Sequence, residues 1–413
     1  MSFIESHFAT SQRLIQRVES RFQRFLYPHI DWRQPLIFLV GMRGVGKTTL
    51  LLQHLKHAFG AQPSRALYLT ADDVNLGGVR LVDVAEEFVA RYAGKTLVID
   101  EVHKYPNWSQ ELKNIFDLQP DLQVIASGSS SLSIVTGQYD LSRRSLVYHL
   151  PQLSLREFLN LEHGLQLEPI GLPEVLRGHE TLVPEIISVL KDNGTAILER
   201  FRRYLAVGAY PYSQGKESFD YHRQVVNSIT KVLYEDIPST FDVSPQTPVT
   251  LQRLLNLLTT SEPYQPNVER LARTLGIAKE TTYNYLDHLE RSSLIAYLPQ
   301  SRAGSKAVRK PAKIYLSNPN LYFALGQVKG LEVKEGTMRE SFFLSQIGVQ
   351  HRATAHPTAD FTVGGKTPYV FEVGGKGKAR KQLNEVEAGF LALDDMEYGL
   401  GKSVPLWLFG FLY

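Results

Sequence analysis

Apolar residues recur along this chain in two alternating rhythms. Leu14, Ile15, Val18, Phe22, Phe25 and Leu26 fall at three- and four-residue spacing, which predicts an amphipathic helix over residues 11–26. Pro35 then precedes an unbroken apolar run, Leu36 to Val40, the pattern of a strand buried on both faces. A helix through Leu50, Leu51 and Leu55 follows. Further short apolar runs at Arg65–Leu69, Thr96–Ile99, Leu122–Ala126 and Leu146–Leu150 complete the pattern. Short apolar strands alternating with helical segments predict an α/β fold with a parallel, doubly wound sheet. From about 155 to 245 the rhythm is helical throughout. From about 250 to 316 short helices lead into a strand–loop–strand, and from 317 onward α and β patterns mix again. We therefore expect four regions: 1–158 as the sheet domain, 159–247 as a helical lid, 248–316 as a winged helix-turn-helix and 317–413 as a second α/β domain.

Composition narrows this picture modestly. The chain has 413 residues, 43% of them apolar, enough to bury several cores, and a formal net charge of +3 that does not suggest a nucleic-acid coat. It contains no cysteine, which excludes disulfides, thiol catalysis and cysteine-ligated zinc. The first residues lack a basic start followed by an apolar core, and no apolar run approaches the roughly 20 residues that span a bilayer. The expectation is a soluble, cytoplasmic chain with no membrane partner.

The first strand and the following helix are joined by Gly41-Met42-Arg43-Gly44-Val45-Gly46-Lys47-Thr48, with Thr49 next. Glycines let such a loop curl so that its N–H groups face phosphate oxygens, and the helix N-terminus adds positive dipole. Lys47 would bridge the β- and γ-phosphates and Thr48 would ligate Mg²⁺, so the expected cofactors are ATP and Mg²⁺. Asp100 ends an apolar strand where the Mg²⁺-side carboxylate of a P-loop ATPase belongs, and Glu101 beside it can polarise the attacking water. Two solvated acids at a strand end are the alternative. Ser127 and Ser129 close the fourth strand, either sensing the γ-phosphate or forming a plain turn. Arg143 and Arg144 precede the fifth strand, as transition-state arginines within the chain or for a neighbour, or as a surface pair.

These residues carry a specific resemblance. Leu97-Val98-Ile99-Asp100-Glu101-Val102-His103-Lys104-Tyr105-Pro106-Asn107-Trp108 resembles the second nucleotide motif of a family of bacterial and archaeal AAA-type ATPases. Ala126-Ser127-Gly128-Ser129-Ser130-Ser131 is similar to that family's segment after the fourth strand. Asp140-Leu141-Ser142-Arg143-Arg144 is similar to its arginine motif, and Leu153-Ser154-Leu155-Arg156-Glu157-Phe158 to the segment that follows. Tyr204-Leu205-Ala206-Val207-Gly208-Ala209-Tyr210-Pro211 resembles its helical-domain signature, with Ala209 in place of a second glycine. The resemblance implies an ATPase core related to the signalling-type P-loop ATPases, joined to a C-terminal domain of unknown function. It implies no substrate.

Two C-terminal patterns suggest partners. Val268–Leu275, the Gly276-Ile277 turn and Lys279–Arg291, followed by strands at Leu294–Leu298 and Lys313–Leu316, form a winged helix-turn-helix pattern. Its second helix mixes Lys279 and Asn284 with Glu280, Asp287 and Glu290, and the acids repel phosphate. The wing loop instead carries Arg302, Lys306, Arg309, Lys310 and Lys313 without an acid, so DNA contact and a protein-binding role both remain open. Farther on, Asp360 and Glu372 lie on two strands joined by a Gly364-Gly365-Lys366 turn, resembling the PD-(D/E)xK nuclease fold, with Glu340 on a preceding helix and Gln382 on a following one. The lysine expected two residues after Glu372 is replaced by Gly374, and Lys376 is the nearest lysine beyond. A second metal site at Glu340, Asp360, Glu372 and Lys376 is thus an expectation, as is loss of cutting. Three functions follow: an ATP-hydrolysing regulatory switch, an ATP-dependent nuclease using Asp360 and Glu372, and a non-hydrolysing adaptor.

Overall fold

The computed structural model describes residues 3–128, 141, 143–241, 243–262, 267–300, 311–364, 367–379, 383 and 386–413. The chain folds into two compact units: residues 1–151 with 239–242, and residues 152–238 with 243–413.

The first unit is built on five parallel strands, β1 (Leu36–Val40), β2 (Ala66–Thr70), β3 (Thr96–Asp100), β4 (Gln123–Gly128) and β5 (Leu146–His149), in the order β2-β3-β4-β1-β5. The expected α/β parallel sheet is present. Every residue of β1 and β3 is buried, as their unbroken apolar runs require. Helices α1 (Phe3–Arg17), α2 (Lys47–Phe59), α3 (Leu81–Tyr92) and α4 (Trp108–Leu118) accompany the sheet.

One element departs from expectation. The first helix begins at Phe3 and ends at Arg17 rather than running to residue 26. Beyond it the chain becomes a strap whose backbone acceptors are met by side chains of α2. Lys56 donates to the carbonyls of Gln16 in the last turn of α1 (2.9 Å) and of Val18 in the strap (2.7 Å), and Gln53 to those of Glu19 (2.7 Å) and Phe22 (2.9 Å). Carbonyls satisfied in this way have no need of further helical turns.

The second unit carries a second α/β sheet. Its strands are β8 (Ala353–Ala355), β9 (Phe361–Val363), β10 (Tyr369–Gly374), β11 (Gly389–Leu393) and β12 (Ser403–Pro405), in the order β12-β11-β10-β9-β8. Pairing is antiparallel from β8 to β10 and parallel from β10 to β12. Helices Leu155–His163, Leu172–Asp192 and Ile197–Val207, from the segment expected as a lid, share a core with this sheet through Phe158, Phe201, Phe342, Phe343, Trp407 and Phe409. Phe201 and Phe342 meet edge-on with centroids 4.8 Å apart. Helices Thr247–Thr260, Val268–Leu275 and Lys279–Arg291 precede an antiparallel hairpin of β6 (Ile295–Leu298) and β7 (Lys313–Leu316).

The Tyr204–Pro211 signature has a structural cause. Asn320 donates to the carbonyls of Tyr204 (2.9 Å) and Leu205 (2.8 Å), and accepts from the Ala209 N–H (2.8 Å) and from the Tyr221 hydroxyl. One fully buried amide thus closes the end of a helix. Gly208 is required here because a Cβ would sit 2.4 Å from the Tyr204 ring.

Among the described residues no helix is long and apolar enough to cross a membrane.

Candidate functional site

The loop between β1 and α2 has the backbone its glycines permit. Gly44 and Gly46 adopt φ values of 88° and 98°, a region that favours glycine, and Gly46 caps the start of α2. Gly41 lies so close to the end of β5 that a Cβ would be 2.5 Å from the Leu150 carbonyl oxygen. Lys47 is 4% exposed, and its ammonium donates to the carbonyls of Gly41 (2.9 Å) and Met42 (3.3 Å). The cation is therefore held over the loop's interior. Met42, Arg43, Val45 and Thr49 complete the segment.

Because β4 lies between β1 and β3, the ends of these three strands converge beside the loop. Asp100, 3% exposed, accepts from the Thr48 hydroxyl (2.5 Å), the Tyr68 hydroxyl (2.8 Å) and the Ser127 hydroxyl. Burial and then the Asp100 charge push the Tyr68 hydroxyl far above the usual tyrosine range, so it remains a donor. Tyr68 was missed in the sequence; its signal is its register on β2, where Thr70 pairs with Asp100 and Tyr68 lies two residues earlier on the same strand face.

Glu101 takes a left-handed conformation, φ 54°, and its N–H lies 3.2 Å from both the Ser127 hydroxyl oxygen and an Asp100 carboxylate oxygen. Its carboxylate is 3.6 Å from His103 Nε2 and 4.0 Å from Arg43 Nη2. A non-glycine residue in this region is strained and persists where its surroundings hold it. The donor set suits the expected cofactors: hard oxygens on Thr48 and Asp100 fit Mg²⁺, and a lysine with a helix N-terminus fits phosphate.

The arginines lie elsewhere. Leu146 pairs with Ile37 at the start of β1 and His149 with Val40 at its end. Arg143 and Arg144 precede Leu146, so they stand at the edge where the strands begin, roughly 15 Å of strand from the phosphate loop. Arg144 faces Asp117 (3.4 Å) and the Phe116 ring (5.7 Å), and Arg143 is exposed. Within one chain neither approaches the site. Ser129 lies outside the described residues, as do Arg302, Lys306, Arg309, Lys310, Gly365, Lys366 and Gln382.

In the second unit Glu340, Asp360 and Glu372 are each met by an ammonium group. Lys313 on β7 donates to Glu340 (2.8 Å) and Asp360 (2.9 Å), and Tyr315 also donates to Glu340 (2.6 Å). Burial disfavours the Lys313 charge, but Glu340 and Asp360 override it and raise its pKa. Glu340 itself is raised by burial and by Asp360, with Lys313 opposing.

The lysine that reaches Glu372 is Lys378, at 2.6 Å, rather than the expected Lys376. Its aliphatic stem crosses Gly374, where a Cβ would come within 2.9 Å of it. The missing side chain at Gly374 is the opening through which a later lysine arrives. No group of three or more His, Asp or Glu among the described residues is arranged to hold a metal ion. Where a second metal site was expected, Lys313 pairs with Glu340 and Asp360 and Lys378 pairs with Glu372.

The helix Lys279–Arg291 is also largely self-neutralised. Lys279 pairs with Glu269 (2.6 Å) and Arg291 with Asp287 (3.0 Å). Glu290 is half-buried rather than outward-facing, and burial and then Asp287 raise its pKa.

Comparison with known proteins agrees with the first unit. Residues 33–159 match a family model described as an AAA domain, and residues 198–332 match a domain of unknown function (DUF8612). The uncharacterized protein MJ1637 of Methanocaldococcus jannaschii is 27% identical over 328 residues, covering 76% of this chain and 68% of its own. Among solved structures, AMPPCP-bound DnaA from Aquifex aeolicus is 14% identical over 70% of this chain and 88% of its own, with a TM-score of 0.24. The S. cerevisiae Hsp104–ADP complex is 17% identical over 70% of this chain and 39% of its own, at 0.28. Scores this low leave the assignment to the matched segment, the sheet and the loop. Residues 33–159 are thus similar in sequence to an AAA domain, and they carry a parallel sheet and a phosphate-loop sequence.

Proposed function

We propose that this chain binds and hydrolyses Mg·ATP and passes its nucleotide state to the second unit, acting as a regulatory switch. The observation that carries the reading is Asp100, which gathers Thr48, Tyr68 and Ser127 beside Lys47. Lys47 would exchange the Gly41 and Met42 carbonyls for β- and γ-phosphate oxygens, and Thr48 and Asp100 would hold Mg²⁺. When bound, Mg²⁺ supplies charge neutralisation at those oxygens. Glu101 would accept a proton from the attacking water, its backbone fixed through Ser127. Arg143 or Arg144 would serve a neighbouring chain's site, because neither reaches its own. Phosphate release that disappears in Glu101→Gln supports hydrolysis; tight ATP binding without turnover under all conditions favours the adaptor.

The target of the switch is proposed to be DNA or a protein. Residues 248–316 are read as a winged helix whose loop, with Arg302, Lys306, Arg309 and Lys310, lies along a phosphate backbone. The internal pairing of Lys279 and Arg291 favours contact by the loop over contact by the helix. Residues 317–413 are read as a nuclease-like module that binds without cutting; the pairing of Lys313 with Glu340 and Asp360 and the glycine at 374 support that reading. DNA cleavage that persists in Lys47→Ala and stops in Asp360→Ala would reverse that reading.

A further inference from the structure

The strap between α1 and β1 places one cation behind the phosphate loop. Arg24 is 4% exposed, and its guanidinium donates through Nη1 to the Val45 carbonyl and through Nη2 to the Pro151 carbonyl (2.7 Å). The strap is itself fixed to α2 by Gln53 and Lys56, and farther along by the Asp31 N–H on the Tyr148 hydroxyl (2.9 Å). The arginine is therefore anchored at its backbone and at both arms of its fork.

A peptide unit is planar and trans, so the Val45 C=O and the Gly46 N–H point in opposite directions. Holding the carbonyl on Arg24 turns the Gly46 N–H away from the guanidinium. Gly46 needs such a hold because glycine at φ 98° has no side chain to restrict it. The second arm, on Pro151, fixes the guanidinium to the end of β5, next to the Leu150 carbonyl that crowds Gly41. Both ends of the loop are thus referenced to one point.

We infer that Arg24 is a positioning residue for nucleotide binding: it aims the Gly46 N–H at the β-phosphate. The inference rests on the nucleotide reading above. It assigns Arg24 no contact with nucleotide and predicts that its loss weakens ligands in proportion to their β-phosphate contact.

The test uses the full chain, with ADP and AMP as probes. R24Q is expected to lower ADP affinity about tenfold to a hundredfold, the usual range for losing a charged hydrogen bond. AMP affinity should change little, the melting temperature should fall because two buried carbonyls lose their donor, and R24K, which can still reach one carbonyl, should recover part of the loss. The Gly46 amide proton should shift strongly on ADP addition in the unsubstituted chain and weakly in R24Q. If R24Q does not fold, R24K carries the test and is expected to bind ADP several-fold more weakly than the unsubstituted chain. Unchanged ADP affinity in a folded variant, or equal losses for ADP and AMP, would overturn the role of Arg24. Failure of the unsubstituted chain to bind ADP would instead overturn the nucleotide reading, and the inference with it.

Discussion

Thr48 and Asp100, 52 positions apart in sequence, are joined by a 2.5 Å hydrogen bond from hydroxyl to carboxylate. The bond ties the first turn of α2 to the end of β3. The two oxygens expected to share a cation are already adjacent, so binding need not gather them from separate places. Preorganisation of this kind lowers the cost of ordering the site.

Ser127 links that carboxylate to Glu101, donating to Asp100 and accepting from the Glu101 N–H. Ser127→Ala should leave nucleotide affinity within about threefold and slow turnover by about tenfold to a hundredfold, as expected when a buried polar partner of a reacting group is lost. Phosphate-release kinetics beside a nucleotide titration would check this. A fall in affinity matching the fall in rate would assign Ser127 to binding instead.

Tyr68 donates to the Asp100 oxygen that also accepts from Thr48. Groups that orient metal ligands typically contribute about tenfold to a hundredfold in metal affinity. Tyr68→Phe should raise the Mg²⁺ concentration for half-maximal turnover about tenfold while leaving nucleotide binding in EDTA unchanged. An unaltered Mg²⁺ dependence would reduce Tyr68 to a core residue.

Much of this site was legible in the sequence because its parts are local. The phosphate loop is contiguous, and Asp100-Glu101 closes a run whose burial its composition declares. Tyr68, Arg24 and Lys378 were missed because each acts across tertiary distance: one from a neighbouring strand, one from a strap read as helix, one over Gly374. The strap was misread for a related reason. Its apolar spacing fits a helix, but Gln53 and Lys56 satisfy its carbonyls, and pattern alone does not reveal such partners. The arginines are plain in the sequence, but their distance from the loop is set by the parallel register of β5 beside β1, which no local pattern encodes.

Lys313 is the counter-ion of Glu340 and Asp360. Lys313→Met should destabilise the second unit by about 2–4 kcal/mol at pH 8, because removing one partner leaves buried carboxylates uncompensated. The sign with pH follows from Glu340, whose pKa is already raised by burial and Asp360 and would rise further without the ammonium. Below the ordinary carboxyl range, about pH 4, Glu340 is protonated both folded and unfolded, and its part of the deficit vanishes; it grows as pH rises through the folded value. Urea denaturation of both chains at pH 5 and pH 8 would check this. A deficit that widens toward pH 5 would contradict it.

Arg144 stands on the edge of the sheet away from its own phosphate loop. If it serves a neighbour, Arg144→Ala should lower turnover by about a hundredfold or more while sparing ATP affinity. Mixing Arg144→Ala chains with Lys47→Ala chains should restore part of the rate, because an intact arginine then meets an intact loop. No recovery on mixing, with both variants folded, would argue against a shared site.

Glu101 is the residue proposed to turn an ATP-binding site into a hydrolysing one. The most direct measurement is single-turnover phosphate release from Mg·ATP by the full chain and by Glu101→Gln, with ATP affinity determined for both. Equal affinity within about threefold is expected, with release slower by about a hundredfold or more in Glu101→Gln, the scale of a lost general base. Equal release rates in the two chains would contradict it.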